Sequence, residues 1–309
     1  MKLNHPFRIL AAAAGTAMAG ATLIAGPAPA APPPAPEPGA PYVALGSSYA
    51  AGAGVGPADP TDIGALCGRT LTAYPTLVAK ALDLNVTNAT CGGATTENIT
   101  TSPQNIRTHS INPQIDAVTA ETRLVTITIG GNDVNYVGNL IAESCLADLA
   151  TDPSSPIANM VKQYGACTPQ PDETVRNALA QMESKLTTMT KKVQAKAPQA
   201  RILLVDYPAV LPQNGEPCSF IPILRDRQKF LLEVARGLNL ATKHAAQATG
   251  ADYIAGSQDS RHHDACSTDP WMTGYLLAPG SAPMHPNEKG QAAVADAIVK
   301  QLTTPGSAS

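Results

Sequence analysis

Four short stretches hold side chains whose types and order suit chemistry on a carbonyl. Gly46-Ser47-Ser48 directly follows an apolar run, so a sharp turn at Gly46 would leave the Ser48 hydroxyl exposed at the edge of a sheet. Cys91-Gly92-Gly93-Ala94-Thr95-Thr96 contains glycines that let a backbone N–H point at a ligand with no side chain in the way. Gly130-Gly131-Asn132-Asp133 offers the neutral amide of Asn132, a good donor to an oxyanion, with Asp133 expected to brace the turn. Met284-His285-Pro286-Asn287 sets a histidine beside a proline and a candidate helix cap, hence on a rigid loop rather than a tail. A serine hydroxyl deprotonated by a histidine, next to N–H donors, is the apparatus of nucleophilic attack on an acyl carbon. Singly, each of the first three stretches reads more readily as an ordinary turn. A loop histidine is ordinarily solvated, and His262-His263 supply two more. Joint placement has to carry the reading.

The elements around these stretches supply that placement. Strand-like runs cover Tyr42–Leu45, Leu84–Asn88, Leu124–Ile129, Arg201–Tyr207 and Asp252–Ala255. Helical patterns cover Ala73–Leu82, Thr174–Ala195, Phe230–Thr249 and Asn287–Leu302. Alternation of strand and helix predicts a parallel sheet with helices on both faces, a three-layer αβα sandwich around five strands. In open α/β sheets ligands bind beyond the carboxyl ends of the strands. The first three stretches fall just after Leu45, Asn88 and Ile129, which is where such a site would be. Cys145–Pro171 and Leu211–Ile223 read as irregular, cysteine-containing insertions. No internal repeat or second domain is visible.

Composition narrows the partners. The chain of 309 residues is 44% hydrophobic, enough for a large core, and its formal net charge is −3 with no long run of one sign. A clustered basic face for nucleic acid is absent, so a small or neutral molecule is the expected partner. The N-terminus reads as a signal peptide over residues 1–30. Lys2, His5 and Arg8 precede an apolar run from Ile9 to about Ala25, and Ala28-Pro29-Ala30 is a small-residue cleavage site. Gly15, Gly20, Thr22 and Pro27 interrupt or close the run, which favours cleavage over a permanent anchor. Residues 31–41 are Pro-rich and expected to be an extended, disordered leader; 42–304 form the folded domain, and 305–309 a flexible tail. In an exported protein the even set Cys67, Cys91, Cys145, Cys167, Cys218 and Cys266 reads as disulfides. The simplest of fifteen pairings is sequential, each bridge contributing about 3–4 kcal/mol in the chain-entropy model. A zinc site would need C-x-x-C or C-x-x-H spacing, and neither occurs. The triplets beginning at Asn85, Asn88 and Asn98 match the glycosylation pattern, which a Thr-rich segment produces by coincidence.

In order and placement the four stretches resemble the SGNH (GDSL-type) hydrolase family, from Tyr42 to about Leu302, and the six cysteines are closest to its secreted actinobacterial members. The resemblance implies a flavodoxin-like αβα fold and a secreted serine esterase or lipase that works without cofactor or metal. It implies Ser48 as nucleophile, His285 as base, and the N–H groups of Ser48 and Gly93 with the amide of Asn132 as oxyanion hole. Its substrate would be a small-molecule or lipid ester, handled by a monomer with transient contact to a membrane or the cell envelope.

The chain departs from the family pattern twice. Gly-Ser-Ser replaces the usual Gly-Asp-Ser, so Ser47 competes with Ser48 for the nucleophile's place. The Asp often found three residues before the histidine is here Ala282, whose main-chain carbonyl is the expected orienting group, with Asp264 and Asp269 as alternatives. An α/β-hydrolase elbow is excluded, since Gly-x-Ser-x-Gly would put glycine at position 50, which is Ala. Trp271, the single tryptophan, is expected to pack structurally rather than line an acyl pocket. Two rival functions remain: an acyltransferase using the same acyl-enzyme with a sugar or lipid alcohol, and a non-catalytic surface-binding module on the same scaffold.

Overall fold

The structure, a computed structural model, describes residues 1–2, 34–275 and 282–304. The expected signal peptide, but for residues 1–2, and the expected tail at 305–309 therefore lie outside the described residues. Among those described, no helix is long and apolar enough to cross a membrane.

Strand β1 (Pro41–Gly46) is buried from Tyr42 onward on both faces, as a central strand of a parallel sheet must be. It pairs in parallel with β2 (Asn85–Asn88) on one side and β5 (Leu124–Thr128) on the other. β6 (Arg201–Val205) and β7 (Asp252–Ile254) complete the order β2-β1-β5-β6-β7, every pair parallel. The two-residue periodicity of strands divides the core. Val43, Leu45, Val125, Ile127, Ile202 and Leu204 face one helical layer, while Tyr42, Ala44, Leu124, Leu203 and Val205 face the other. Helices Tyr74–Leu82 and Glu288–Thr303 cover the second face; Tyr136–Thr151, Met182–Lys196 and Arg225–Thr249 cover the first. The three-layer expectation holds. β2, with the polar sequence Asn-Val-Thr-Asn, is an exposed edge strand.

Several expectations change. Cys145–Pro171 is not irregular: a helix runs over Tyr136–Thr151 and a second over Pro156–Gln163. The buried residues of the first (Tyr136, Asn139, Leu140, Ala142, Glu143, Ser144, Cys145) are spread around its circumference, so no single apolar stripe marks it. The helical pattern at 174–195 is two helices, Asp172–Ala180 and Met182–Lys196, parted at Gln181. Leu211–Ile223 has no helix or strand, as expected. An excursion before β5 was not foreseen: a hairpin of β3 (Gln104–Ile106) and β4 (His109–Ile111), then a 3-10 turn at Gln114–Ala117. The fold also reaches into the expected leader, because the Gly39 N–H donates to the Asp83 carbonyl at 2.6 Å.

The cysteines pair sequentially, Cys67–Cys91, Cys145–Cys167 and Cys218–Cys266. The three glycosylation-type asparagines spend their side chains internally: Asn85 on the Gly39 carbonyl, Asn88 on Thr90, and Asn98 in a capping box with Thr95.

Candidate active site

The site begins where β1 ends. Gly46 has φ +142°, and a side chain there would meet the Thr128 carbonyl oxygen at 2.5 Å and Ala50 Cβ at 2.9 Å. Only glycine lets the chain leave the strand so close to β5. The next residues form one helical turn, Ser48–Ala51, with Ser47 as its cap. The two serines meet different surroundings. Ser47 is fully buried, its N–H donating to the Thr128 carbonyl and its Oγ lying 3.2 Å from the Tyr207 hydroxyl. Ser48 is partly exposed, with the N–H of a first helical turn, which has no partner within its helix.

The second stretch lies against the first. The Cys91 N–H donates to the Gly46 carbonyl at 3.0 Å and the Gly92 N–H to the Cys67 carbonyl at 2.8 Å, across the Cys67–Cys91 disulfide. A Cβ on Gly92 would lie 3.9 Å from Ser48 Cβ, so this loop runs beside the candidate nucleophile. Gly93 is exposed with φ +80°, and its N–H has no hydrogen-bond acceptor among the described residues.

The third stretch joins the second. Asn132 Nδ2 donates to the Ala94 carbonyl at 2.8 Å, which fixes the amide and leaves its other N–H for a ligand. Asp133 braces the neighbouring loop, as expected of it: its carboxylate accepts from the Thr96 N–H at 3.0 Å and the Thr96 hydroxyl at 2.6 Å, with Lys185 Nζ 3.4 Å away. Tyr207 closes the arrangement from behind. Its hydroxyl accepts from the Gly131 N–H at 2.9 Å, and its main chain exchanges two 3.0 Å hydrogen bonds with the Asn239 side chain. Burial pushes the Tyr207 phenol up to about 12, so it stays protonated at neutral pH.

His285 reaches this site from the far end of the sequence. Its Nε2 lies 2.7 Å from Ser48 Oγ, and its Nδ1 lies 2.6 Å from the Pro283 carbonyl. A carbonyl only accepts, so Nδ1 carries the proton and Nε2 presents its lone pair to the serine hydroxyl. The imidazole is 8% exposed, and burial lowers its proton affinity below the usual histidine value, the Pro283 carbonyl partly opposing. The orienting carbonyl is thus that of Pro283, not the expected Ala282. Met284 takes a left-handed turn (φ +60°) that brings the nearer residue's carbonyl to the ring, while the Ala282 carbonyl instead accepts from the Thr273 hydroxyl at 2.5 Å. Neither alternative aspartate touches the ring. Asp264 accepts from the Cys266 N–H, and Asp269 pairs with Lys289 and His263.

The histidine loop is tied down by side chains. Thr273 Oγ1 accepts from the His285 N–H at 3.0 Å, and the Tyr49 hydroxyl donates to the Met284 carbonyl at 2.6 Å. Asn287 caps the last helix through the Gly290 N–H and donates to the Pro270 carbonyl, while a Cβ on Gly290 would collide with the Trp271 carbonyl. Trp271 itself stacks on His263, ring centroids 4.0 Å apart and planes nearly parallel, in a packing role. Tyr49, Tyr207 and Thr273 gave no sequence signal, since nothing in the spacing of a lone tyrosine or threonine announces which main-chain group it will meet.

A model of the GDSL-like lipase/acylhydrolase family matches residues 44–293. Lipase 2 of Streptomyces coelicolor is 34% identical over 260 residues, 82% of this chain and 83% of that one. A lipase of Streptomyces rimosus is 27% identical over 257 residues, 81% of this chain and 82% of that one. Among solved structures, phospholipase A1 from Streptomyces albidoflavus superposes with a TM-score of 0.65 at 24% identity, covering 86% of this chain and all of that one. The extracellular lipase of Streptomyces rimosus gives a TM-score of 0.64 at 23% identity, with 86% of this chain and all of that one covered. These last two likenesses establish a shared fold.

Proposed function

From the premise that this chain belongs to the GDSL-like lipase/acylhydrolase family and is a carboxylic ester hydrolase, we propose that it works through a Ser48–His285 dyad and an acyl-enzyme. The observation that carries the proposal is the 2.7 Å approach of His285 Nε2 to Ser48 Oγ while Nδ1 is committed to the Pro283 carbonyl. In the first step Nε2 takes the Ser48 proton as Oγ attacks the ester carbon. Negative charge gathers on the former carbonyl oxygen, where the N–H groups of Ser48 and Gly93 and the second N–H of Asn132 receive it. Each aligned donor lowers the barrier by about 3–4 kcal/mol. The imidazolium then protonates the leaving alcohol, and water, deprotonated in turn by His285, releases the acid and restores Ser48.

A carbonyl in place of a carboxylate fixes the tautomer but stabilises the imidazolium less. Burial acts in the same direction, disfavouring the imidazolium and keeping His285 neutral, and so ready as a base, at pH 7. The site is assembled within one chain, which supports action as a monomer. Three disulfides and the basic-then-apolar N-terminus support export, in keeping with an extracellular lipase among the structural neighbours. The named relatives include lipases, an esterase and a phospholipase A1, so acylglycerols and phospholipids join short esters as substrates to compare in a chain-length series.

The decisive experiment is Ser48→Ala with a short p-nitrophenyl ester. We expect turnover to fall by about 10⁴-fold or more while thermal unfolding stays cooperative and within a few degrees of wild type. Wild-type turnover in that variant would end the assignment.

A further inference from the structure

The geometry points to Gln104 and Gln114 as positioning residues that hold the oxyanion donors in place, an inference that rests on the function proposed above. Both side chains come from the excursion of residues 102–117, and each grips main chain rather than another side chain.

Gln104 opens β3, and its Nε2 donates to the Gly92 carbonyl at 2.7 Å. The Gly92 carbonyl and the Gly93 N–H belong to one planar trans peptide and point in opposite directions. Holding the carbonyl therefore aims the N–H. It also polarises the peptide, making that N–H a stronger donor. The preceding peptide is held by the Gly92 N–H on the Cys67 carbonyl, so Gly92 is anchored through the peptides on both of its sides. Gln104 Oε1, meanwhile, is buried without a hydrogen-bond partner among the described residues. A side chain that only filled space would be better apolar, since an unpaired buried carbonyl costs stability. The amide is retained here for the one bond that its nitrogen makes.

Gln114 treats the nucleophile's strand in the same way. Its Oε1 accepts from the Gly46 N–H at 2.8 Å and its Nε2 donates to the Gly46 carbonyl at 3.0 Å. The β1–β2 register ends at Ala44 and Asn88; beyond it the Cys91 N–H still donates to the Gly46 carbonyl, and the amide supplies the partner for the Gly46 N–H and a second donor to that carbonyl, where β1 turns. Gly46 lies two residues before Ser48, and its opposite edge pairs with Thr128. The launch direction of the Ser48 N–H is thus set by one glutamine, and that of the Gly93 N–H by the other. Neither glutamine is placed to touch substrate; both act through peptides.

The test uses the full-length protein with Gln104→Leu, Gln104→Glu and Gln114→Leu. We expect kcat on a p-nitrophenyl ester to fall about 10- to 100-fold in each Leu variant with KM within about twofold, because the donors act on the transition state. Affinity for phenylboronic acid, whose tetrahedral adduct on Ser48 places an oxygen among these donors, should fall in step with kcat. Gln104→Glu adds a signature that a packing defect lacks. A carboxylate cannot donate to the Gly92 carbonyl but a carboxylic acid can, so the ratio of variant to wild-type kcat should rise as pH falls. Folded Leu variants with unchanged kcat, or with a raised KM alone, would overturn the inference. If the Leu variants fail to fold, a pH-independent ratio for Gln104→Glu overturns it. Ser48→Ala run in parallel separates the two claims: full activity there removes the dyad, whereas an inactive Ser48→Ala beside fully active glutamine variants removes only the brace.

Discussion

The two halves of the site are built on different principles. Ser48, Gly93 and Asn132 sit just past the ends of β1, β2 and β5, three adjacent strands whose register is fixed by parallel ladders. His285 sits on a loop with, among the described residues, no sheet partner beyond an isolated bridge at Met272 and Pro286, and is held by Thr273, Tyr49 and the cap at Asn287. The difference follows from the tasks. Donors to a developing oxyanion must have fixed directions, because misaligned N–H groups lose most of their worth, and strand ends supply direction. A base needs a defined tautomer and one short approach, and a loop with a few ties supplies both.

The largest effect expected from probing this contrast is on the sheet side. Asn132→Ala should lower kcat by about 10²–10³-fold with little change in the unfolding temperature, since the amide's loss costs one donor and one surface-loop tie. A loss of only a few fold would show that the sheet half is less exacting than its geometry requires. On the loop side Gly290→Ala should cost about tenfold in kcat together with several degrees of melting temperature, because the new Cβ pushes on the Trp271 carbonyl and shifts the histidine loop. Unchanged activity and melting there would mean that the loop's packing does not set the approach of His285.

A smaller loss, about fivefold, is expected for Tyr49→Phe, which removes one hydrogen bond to the left-handed Met284 and nothing else. The pH profile should move least but discriminate most. Burial depresses the His285 pKa, so the acid limb of kcat/KM should fall below the ordinary histidine value of about 6.5. The same sign governs stability: the contribution is complete above the unfolded value of about 6.5 and is lost as pH falls through the lower folded value. A limb above 6.5 would reveal an anionic partner on the ring and erase the contrast between the halves.

Much of the strand-end half was legible because glycine is forced there. Gly46 and Gly93 adopt positive φ, and Gly46 also lies too close to β5 for any side chain. The ending His-Pro-Asn-x-x-Gly was legible for a similar reason, since Asn287 caps and Gly290 packs against Trp271. What could not be read was set by tertiary context. Which carbonyl orients His285 depends on a non-glycine left-handed turn at Met284, and propensity argues against such a turn. Choosing Ser48 over Ser47 physically depends on Tyr207 occupying the space behind Ser47. The glutamines come from an excursion with no periodicity to mark it, and the helix Tyr136–Thr151 buries residues on all sides.

The Cys67–Cys91 bridge closes directly over Gly92, yet neither cysteine belongs to a strand of the sheet. The β1–β2 register ends at Ala44 and Asn88, before Cys91, whose N–H extends the contact to the Gly46 carbonyl. The bridge fastens the Gly92 loop to Cys67, whose carbonyl also accepts from the Gly92 N–H. The covalent tie thus acts on the loop beside Ser48 and not on the register of the sheet.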